Sequence, residues 1–302
     1  MKGILLVDKP SGMTSHDVVD RIRKAAGMRR VGHTGTLDPA ATGLLILCLG
    51  TATRLSEHLT GLDKRYEGDM RMGTVTDSYD MDGEVLETHP VPDLKPADIQ
   101  KCFDALTGDI MQEPPMVSAV KIGGERLYKK ARKGETVERP ARPVTIREFT
   151  LLGYESPLAR FDICCTRGTY VRALCHDVGQ TLGCGATLNS LRRTSVGKHH
   201  VDDALPLESL RTRQDVQRHL IPPGEALELP AVIPRRASER MIASGSPLRD
   251  RDLKSPCPVR SGWVQLKTED GDLLALAQVE EGPGELYLQP RRVFMNTEKR
   301  TR

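Results

Sequence analysis

The sequence predicts an α+β protein, or a mixed α/β one, with a large N-terminal domain and a small β-rich C-terminal domain. A chain of 302 residues is long enough for one large domain plus a small one. Hydrophobic residues make up 38% of the chain, which is sufficient for a buried core. Helical and strand-like segments are mixed rather than regularly spaced, which favours this class over a repeating βαβ array.

The predicted elements follow from hydrophobic spacing and from the residues that begin and end helices. Thr14 is predicted to cap a helix, with Asp17 three positions on, and Gly27 is predicted to end it. Further helices are predicted at residues 51–62, 96–106, 127–133, 169–182 and 238–244. Strands are predicted at residues 4–7, 44–49, 66–73, 144–154, 160–165, 263–267, 273–279, 286–288 and 293–294. Asp-Gly pairs at Asp82 and Asp270 predict two hairpins.

The segment 28–50 has the most distinctive local pattern and reads MRRVGHTGTLDPAATGLLILCLG. Pro39 disfavours the helical conformation at Asp38, and the neighbouring glycines permit close approach of a ligand. The apolar run at 44–49 predicts a buried strand. A single carboxylate therefore lies on a glycine-rich loop beside a rigid strand, which is typical of functional loops. From the residues alone, an Asx-type turn that only leads into the strand is the alternative interpretation.

The distribution of charge and the cysteine content indicate a polyanion-binding protein in a reducing compartment. The net charge is +3, but residues 121–147 hold nine Lys or Arg against three Glu. Such a basic segment indicates a polyanion-binding surface, with a solvated helix face as the alternative. Membrane-length apolar runs and a signal peptide are not recognisable. Seven cysteines without regular spacing favour free thiols in a reducing compartment, so a cytoplasmic location is expected.

Two groups of potential metal ligands lack the spacing that metal sites require. The acidic cluster at 77–83 resembles a calcium loop, but the twelfth position is His89 where a bidentate Glu is needed. The second group contains no CxxC pair and comprises Cys164, Cys165, Cys175, His176 and Cys184. A metal site is therefore not expected in either place.

Six ordered motifs carry a resemblance to a known family. They are MKGILLVDKPSGMTSHDVV, GHTGTLDPAATGLL, KRY, PPMVSAVKIGGERLYKKARKG, RGTYVRALCHDVG and LGCGATLNSLRRTSVG. Together they resemble the TruB-type tRNA pseudouridine synthases over most of residues 1–200, and a looser likeness continues to about residue 292. The resemblance implies a catalytic domain with a mixed central sheet and flanking helices at residues 1–222, with a basic inserted element at 121–147. It also implies a small, β-barrel-like, RNA-binding PUA domain at 230–294, and residues 295–302 are expected to form a disordered tail.

The resemblance also suggests roles for particular side chains. Asp38 matches the catalytic aspartate of the family, and Arg172 matches the arginine that is paired with it. Tyr66 matches the tyrosine that stacks on the target uracil. Further substrate contacts are implied for His33, Tyr170 and Leu191. Candidate phosphate contacts are Lys9, Lys64, Arg65, Lys121, Lys129, Arg132, Arg192 and Arg193.

The expected function is isomerisation of uridine 55 in the T-loop of tRNA to pseudouridine by a stand-alone, monomeric enzyme. The reaction has no net redox change, so no cofactor is expected, and GxxxxGK[ST], GxGxxG and HExxH motifs are not found. The expected partner is the T-arm of tRNA, with no membrane and no obligate protein partner. Three alternatives remain open: a non-catalytic tRNA-binding or folding module, the catalytic subunit of a guide-RNA pseudouridylase, and a metal-dependent RNA hydrolase.

Overall fold

The computed structural model describes residues 1–116, 121–122, 125–126, 139–282 and 285–295. Within these ranges, ten strands form one mixed sheet and four strands near the C-terminus form a second sheet, which confirms the predicted mixed α and β class. The helices are α1 (Ser15–Ala26), α2 (Ser56–Gly61), α3 (Pro96–Ala105), α4 (Val171–Leu182), α5 (Arg213–Arg218) and α6 (Glu239–Ser244).

The strands divide between the two sheets and two short two-stranded pairs. In chain order they are β1 (Gly3–Lys9), β2 (Val31–His33), β3 (Thr42–Leu49), β4 (Lys64–Met72), β5 (Thr74–Thr76), β6 (Val85–Thr88), β7 (Gly108–Gln112), β8 (Lys121–Ile122), β9 (Glu125–Arg126), β10 (Arg142–Glu155), β11 (Leu158–Cys165), β12 (Ala186–Val196), β13 (His199–His200), β14 (Leu205–Pro206), β15 (Ala231–Val232), β16 (Gly262–Lys267), β17 (Leu273–Gly282) and β18 (Glu285–Val293).

The strand order of the large sheet brings the predicted site segments together. That order is β14-β1-β3-β12-β4-β11-β10-β7, with β2 beside β3 and β13 beside β12. β12 runs parallel to β3 and antiparallel to β4. The loop that carries Asp38 leads into β3, Tyr66 lies on β4, and Leu191 lies on β12. Three neighbouring strands in the middle of the sheet therefore bring these residues close together.

The first helix forms as the sequence predicts. The backbone N–H of Asp17 donates to Thr14 Oγ1 at 3.1 Å, and the Thr14 N–H donates to Asp17 Oδ2 at 2.8 Å. Gly27 ends the helix with a φ of 62°, a conformation that glycine adopts without steric cost. Val18 and Ile22 are fully buried on the inner face. This capping box fixes the point at which α1 begins.

The helix predicted at residues 169–182 begins two residues later, because α4 starts at Val171. Tyr170 rather than Thr169 is the N-cap, and Thr169 Oγ1 instead donates to the carbonyl oxygen of Thr166 at 3.0 Å. The side-chain amide of Gln112 takes over the role of a cap. Its Oε1 accepts from the Tyr170 N–H at 2.8 Å, and its Nε2 donates to the Tyr170 carbonyl at 3.1 Å. A residue from β7 therefore fixes the start of α4.

Other segments differ from the prediction in type or in length. The predicted helix at 51–62 is a 3-10 helix (Gly50–Leu55) followed by the short helix α2. The two predicted strands between 286 and 294 are one continuous strand, β18. β12 has no counterpart among the predicted strands, although it lies in the middle of the large sheet. The hairpin at Asp270 is confirmed as the β16–β17 connection.

The hydrophobic core continues from the large sheet into the C-terminal sheet. Ile4 and Leu6 of β1 and Leu44 and Ile46 of β3 form one buried cluster with three residues of the C-terminal region. Those three residues are Leu273, Leu276 and Phe294. The C-terminal sheet, in the order β15-β16-β17-β18, also has a buried cluster of its own. Because one cluster joins both parts, the proposed division near residue 222 stays a prediction.

Some predictions fall on residues outside the described ranges. These include the predicted basic helix at 127–133 and the segment 296–302, which makes up all but the first residue of the predicted tail. In the part of the chain that the structure describes, no helix is long and apolar enough to cross a membrane.

Candidate active site

The loop that carries Asp38 is held by the Ser15 side chain and by a backbone hydrogen bond within its turn. Ser15 Oγ accepts the Leu37 N–H at 2.8 Å and donates to the Leu37 carbonyl at 3.1 Å. The turn itself closes through the Ala41 N–H, which donates to the Asp38 carbonyl at 3.1 Å. Backbone groups close this turn. The Asp38 side chain lines a pocket, where it lies near the guanidinium of Arg172.

Arg172 on α4 is shared by two carboxylates. Its Nη2 lies 3.5 Å from Asp38 Oδ2, and its Nη1 lies 2.9 Å from Asp80 Oδ2. The Arg172 side chain is only 6% exposed, whereas that of Asp38 is 50% exposed. The predicted pairing of Asp38 with Arg172 therefore exists, but the shorter ion pair is the one with Asp80.

The surroundings make Asp38 harder to ionise than an ordinary aspartate. Partial burial in the recess raises the pKa of Asp38, although half of its side-chain surface is exposed. The Arg172 guanidinium lowers this pKa, while the carboxylates of Asp80 and Asp82 raise it. The net direction is upward, so on acidification Asp38 accepts a proton earlier than a free aspartate does.

Asp80 is the site residue that the sequence reasoning missed. Its Oδ1 accepts from Ser78 Oγ at 2.5 Å and from the Asp82 N–H at 3.2 Å, which leaves Oδ2 for Arg172. Tyr79, next to it, has a φ of 66° and stacks on His176 of α4, with ring centroids 4.1 Å apart. The acidic run DSYDMDG is the available signal, but from sequence it indicates only a hairpin turn and a loop that resembles a calcium site. The described residues contain no group of His, Cys, Asp or Glu arranged to hold a metal ion.

A pocket of about 290 Å³ lies beside Asp38. Its size is close to the lower end for small-ligand pockets, which suits a group no larger than one nucleoside. Tyr66 and Leu191 line it from β4 and β12, and Tyr170 lines it from the start of α4. The Arg172 guanidinium carbon lies 5.9 Å from the centroid of the Tyr170 ring. Three residues predicted to contact the nucleotide therefore share one pocket with Asp38.

Two buried cations line the same pocket near Tyr66. Arg193 is 2% exposed, and its Nε and Nη2 donate to the carbonyls of Leu44 and Gly35 at 2.7 and 3.1 Å. Lys64 donates from Nζ to the carbonyls of Thr60 and Leu62. Burial, and next the charge of Arg193, lower the pKa of Lys64 to about 8. Both cations were predicted as phosphate contacts, but they lie inside the pocket and not on an open surface.

Lys9 does not fit its predicted role as a phosphate contact. The residue is fully buried, and its Nζ donates to the carbonyls of Pro10, Met13 and Pro39 at 2.9, 2.7 and 3.1 Å. Since the last of these follows Asp38, the ammonium group ties the end of β1 to the Asp38 loop. Its three donors are all used by the protein itself.

The remaining predicted residues have different surroundings. Arg65 is paired with Asp162 and Glu148, with its Nη2 at 2.7 and 2.8 Å from their carboxylates. Arg192 binds Asp8 with two hydrogen bonds of 3.0 and 2.8 Å. These two arginines are less than half exposed, so a phosphate would share them with a carboxylate.

The side chains of Lys121, Lys129 and Arg132 lie outside the described residues.

His33 lies on β2, where it is half-buried and faces Leu47 in the ladder. Burial, and next the charge of Arg193, lower the pKa of His33. A neutral imidazole is therefore favoured at this position. Its predicted contact with the substrate stays a prediction.

The chain is similar to a known class of isomerase, the pseudouridylate synthases. The family model described as TruB family pseudouridylate synthase, N-terminal domain, matches residues 23–171. The model described as tRNA pseudouridylate synthase B C-terminal domain matches residues 172–228. The chain belongs to the TruB family of pseudouridylate synthases.

Individual relatives agree with this assignment over the length of the chain. The tRNA pseudouridine synthase B of Opitutus terrae is 50% identical over 228 residues, which is 75% of this chain and 95% of that protein. That of Heliobacterium modesticaldum is 40% identical over 306 aligned positions, covering 100% of this chain and 98% of the relative. That of Moorella thermoacetica is 44% identical and covers 97% of this chain and 99% of the relative.

Solved structures share the fold. A chain from an H/ACA RNP bound to a substrate RNA containing 2'-deoxyuridine superposes with a TM-score of 0.75 and 24% identity, over 98% of this chain and 86% of its own. A chain of a Cbf5-Nop10-Gar1 complex gives a TM-score of 0.74 and 26% identity, over 97% of this chain and 85% of its own.

Proposed function

We propose that this protein isomerises uridine 55 in the T-loop of tRNA to pseudouridine, with Asp38 as the catalytic carboxylate and without a cofactor. The observation that carries the proposal is the Asp38 carboxylate 3.5 Å from the buried guanidinium of Arg172, in a pocket that Tyr66 also lines. The relatives named tRNA pseudouridine synthase B support tRNA as the substrate. Uridine 55 is the finer part of the proposal and comes from the motif resemblance.

The reaction breaks the N1–C1′ bond of the uridine, turns the base over and forms a C5–C1′ bond. A carboxylate assists such a cleavage either by attacking the sugar or by removing a proton from it, and both routes require an ionised Asp38. Arg172 supports that ionised form because an adjacent positive charge favours it. The guanidinium also fixes the direction of the carboxylate oxygen toward the pocket.

Under this proposal, the uracil ring binds against the Tyr66 side chain on the pocket lining. An aromatic face holds an extruded base by stacking, which offsets part of the cost of unstacking it from the RNA. Leu191 and Tyr170 complete the apolar lining. After the base has turned, the proton on C5 must leave, and we assign its removal to the ionised form of the Tyr66 phenol.

RNA outside the pocket would be held through its phosphates. Arg65 and Arg192 keep partly exposed side chains on neighbouring strands, but strand alternation directs them to the sheet face opposite Tyr66 and Arg193, so they would contact only RNA that reaches that face. Phosphate contacts of this kind fix the register of the RNA and do not read its sequence. Lys9 is excluded from this role because its ammonium group is enclosed by backbone carbonyls.

The test is conversion of a T-arm RNA hairpin by the purified chain alone, followed by chemical mapping of pseudouridine. We expect one modified position, the uridine that corresponds to tRNA position 55. Asp38→Asn should lower the single-turnover rate by about 10⁴-fold or more, as loss of a key catalytic group does. The same variant should still bind the hairpin, because the substitution removes no phosphate contact.

The same experiment separates the alternatives. Conversion that occurs only with added guide RNA and partner proteins would favour the subunit of a guide-RNA complex, whose fold this chain shares. Binding without any conversion would leave a non-catalytic tRNA-binding or folding module. Equal rates for Asp38→Asn and the unmodified chain would remove Asp38 from the mechanism.

A further inference from the structure

Arg193 connects the base-binding part of the pocket to the loop that carries Asp38. Its Nη2 donates to the carbonyl of Gly35, three residues before Asp38, and its Nε donates to the carbonyl of Leu44 on β3. A charged side chain that is 2% exposed is costly to bury unless it makes such bonds. Arg193 is therefore held in a fixed position by two separate backbone segments.

The register of the sheet places Arg193 directly beside Tyr66. The two residues are direct partners in the antiparallel pairing of β12 with β4. Directly opposed residues on antiparallel strands extend their side chains from the same face, with their Cβ atoms about 5 Å apart. Both side chains line the same pocket, and Tyr66 is only 9% exposed.

The groups around the phenol act on its ionisation in opposite directions. Burial raises the pKa of Tyr66 above its ordinary value, and the positive charge of Arg193 only partly offsets this rise. The Cys165 thiol on β11 and the Asp38 carboxylate act in the raising direction. Lys64, two residues away on β4, adds a second cation to the same pocket. Arg193 is thus the main group that favours the ionised phenol.

We propose that Arg193 is the positioning residue that orients the Tyr66 phenol for removal of the C5 proton and couples it to the Asp38 loop. This inference rests on the proposed function. It assigns Arg193 a role in the second half of the reaction, after the C5–C1′ bond has formed. The proposed function gives Arg193 no role in the first half.

The proton transfer balances as follows. Tyr66 first releases its own phenolic proton to solvent. The phenolate oxygen then takes the proton from C5, and the electrons of that C–H bond form the C5–C6 double bond. The electrons of the former C6–N1 double bond accept a proton from solvent at N1. One proton has moved from C5 to N1, and neither an oxidant nor a reductant is needed.

A purely structural role makes a different prediction from a role in proton transfer. If Arg193 only held Gly35 and Leu44, its loss would displace the Asp38 loop and slow cleavage of the N1–C1′ bond. If it orients Tyr66, its loss would slow the later removal of the C5 proton. These two steps differ in their sensitivity to deuterium at C5.

The experiment is a single-turnover assay on T-arm hairpins with either ordinary or 5-deuterated uridine at the target position. Arg193→Lys and Arg193→Met are compared with the unmodified protein and with Tyr66→Phe. We expect Arg193→Met to lower the rate by about 10²-fold, the scale of a lost general base, and to raise the C5 isotope effect above that of the unmodified protein. Arg193→Lys should restore part of the rate and lower the isotope effect again.

The isotope effect is a ratio measured within one variant, so partial unfolding of that variant does not change it. An isotope effect in Arg193→Met that stays at or below the unmodified value, with a slower rate, would overturn the proposal. Failure of the proposed function is distinguishable, because the unmodified protein would then form no pseudouridine from either hairpin.

Discussion

The two parts of the pocket lining carry opposite charge arrangements. In the acidic part, Asp38 on the pocket lining and Asp80, which lies outside the lining, share one guanidinium, that of Arg172. In the cationic part, Arg193 and Lys64 donate to backbone carbonyls instead of carboxylates. The acidic part therefore has an excess of negative charge and the cationic part an excess of positive charge.

This difference corresponds to the two halves of the substrate under the proposed function. The sugar carbon is attacked or deprotonated by a carboxylate, so it belongs next to the acidic part. When the N1–C1′ bond breaks, its electrons remain on the uracil, and the fixed positive charge of Lys64 stabilises such a developing anion. Lys64 contributes to this at neutral pH because its pKa, lowered by burial to about 8, still leaves it mostly protonated.

After Asp38→Asn, the largest effect is expected from removing Arg172, the guanidinium that both carboxylates of the acidic part share. Arg172→Met leaves two carboxylates without their shared cation, so pseudouridine formation should fall by about 10³-fold. Removing the partner of buried charges should also lower the free energy of unfolding by about 3–5 kcal/mol. Single-turnover rates and thermal melts measure the two effects. Arg172→Lys is the matched control, since it keeps the charge but cannot bridge both carboxylates in the same way.

A rate for Arg172→Met within tenfold of the unmodified protein would show that Asp38 does not depend on this guanidinium. Arg71→Met, on the exposed face of β4, should leave both quantities unchanged.

A smaller effect is expected for Asp80→Asn, which removes one of the two carboxylates. Arg172 loses its 2.9 Å ion pair and can shift, so the rate at neutral pH should fall by about 10- to 100-fold, the scale of a small misplacement. The pH dependence gives the sharper readout. The raised pKa of Asp38 means that activity is lost as the pH falls through that raised value, and Asp80 is one cause of the rise.

Asp80→Asn should therefore move the acidic limb of the pH–rate profile to lower pH. The measurement is the single-turnover rate between roughly pH 4 and pH 8, which covers the titration range of a raised aspartate. An acidic limb that stays in place would mean that Asp80 acts only through the position of Arg172.

The smallest effect on chemistry is expected at Lys9, outside both parts of the pocket. Lys9→Met leaves the carbonyls of Pro10, Met13 and Pro39 without their donor, so the free energy of unfolding should fall by about 1–3 kcal/mol. Thermal melts measure this, with Lys2→Met, an exposed lysine, as the control. The salt dependence of tRNA binding should not change. A flatter salt dependence would restore Lys9 as a phosphate contact.

Local signals predicted α1 well because its boundaries depend on neighbouring residues alone. Thr14, Asp17 and Gly27 form the cap and the stop within one stretch of chain. The buried strand after Asp38 was equally clear from its unbroken apolar run. The loop position of Asp38 followed directly from these two elements.

β12 was missed because its sequence, ATLNSLRRTSV, mixes polar and charged residues with few apolar ones. Its place in the middle of the large sheet depends on contacts with β3 and β4, which are more than a hundred residues away in sequence. The same reason explains Arg193 and Lys9. Each was predicted as a phosphate contact, yet both side chains are buried and donate to backbone carbonyls that are distant in sequence.

Asp80 shows a third limit of local reasoning. Its acidic neighbours suggested a metal loop, and only the fold reveals that α4 brings Arg172 to it. The domain division, the substrate contacts of His33 and the basic segment at 121–147 stay predictions. They depend on RNA contacts or on residues outside the described ranges.

The buried cluster that joins Ile4 and Leu44 to Leu273 and Phe294 has a consequence for protein engineering. Replacing the C-terminal sheet with a different RNA-binding domain would expose the apolar side chains of β3, the strand that follows the Asp38 loop. Chimeras between distant homologues should therefore exchange this hydrophobic cluster as a unit. The exchange should include its residues from both the large sheet and the C-terminal region.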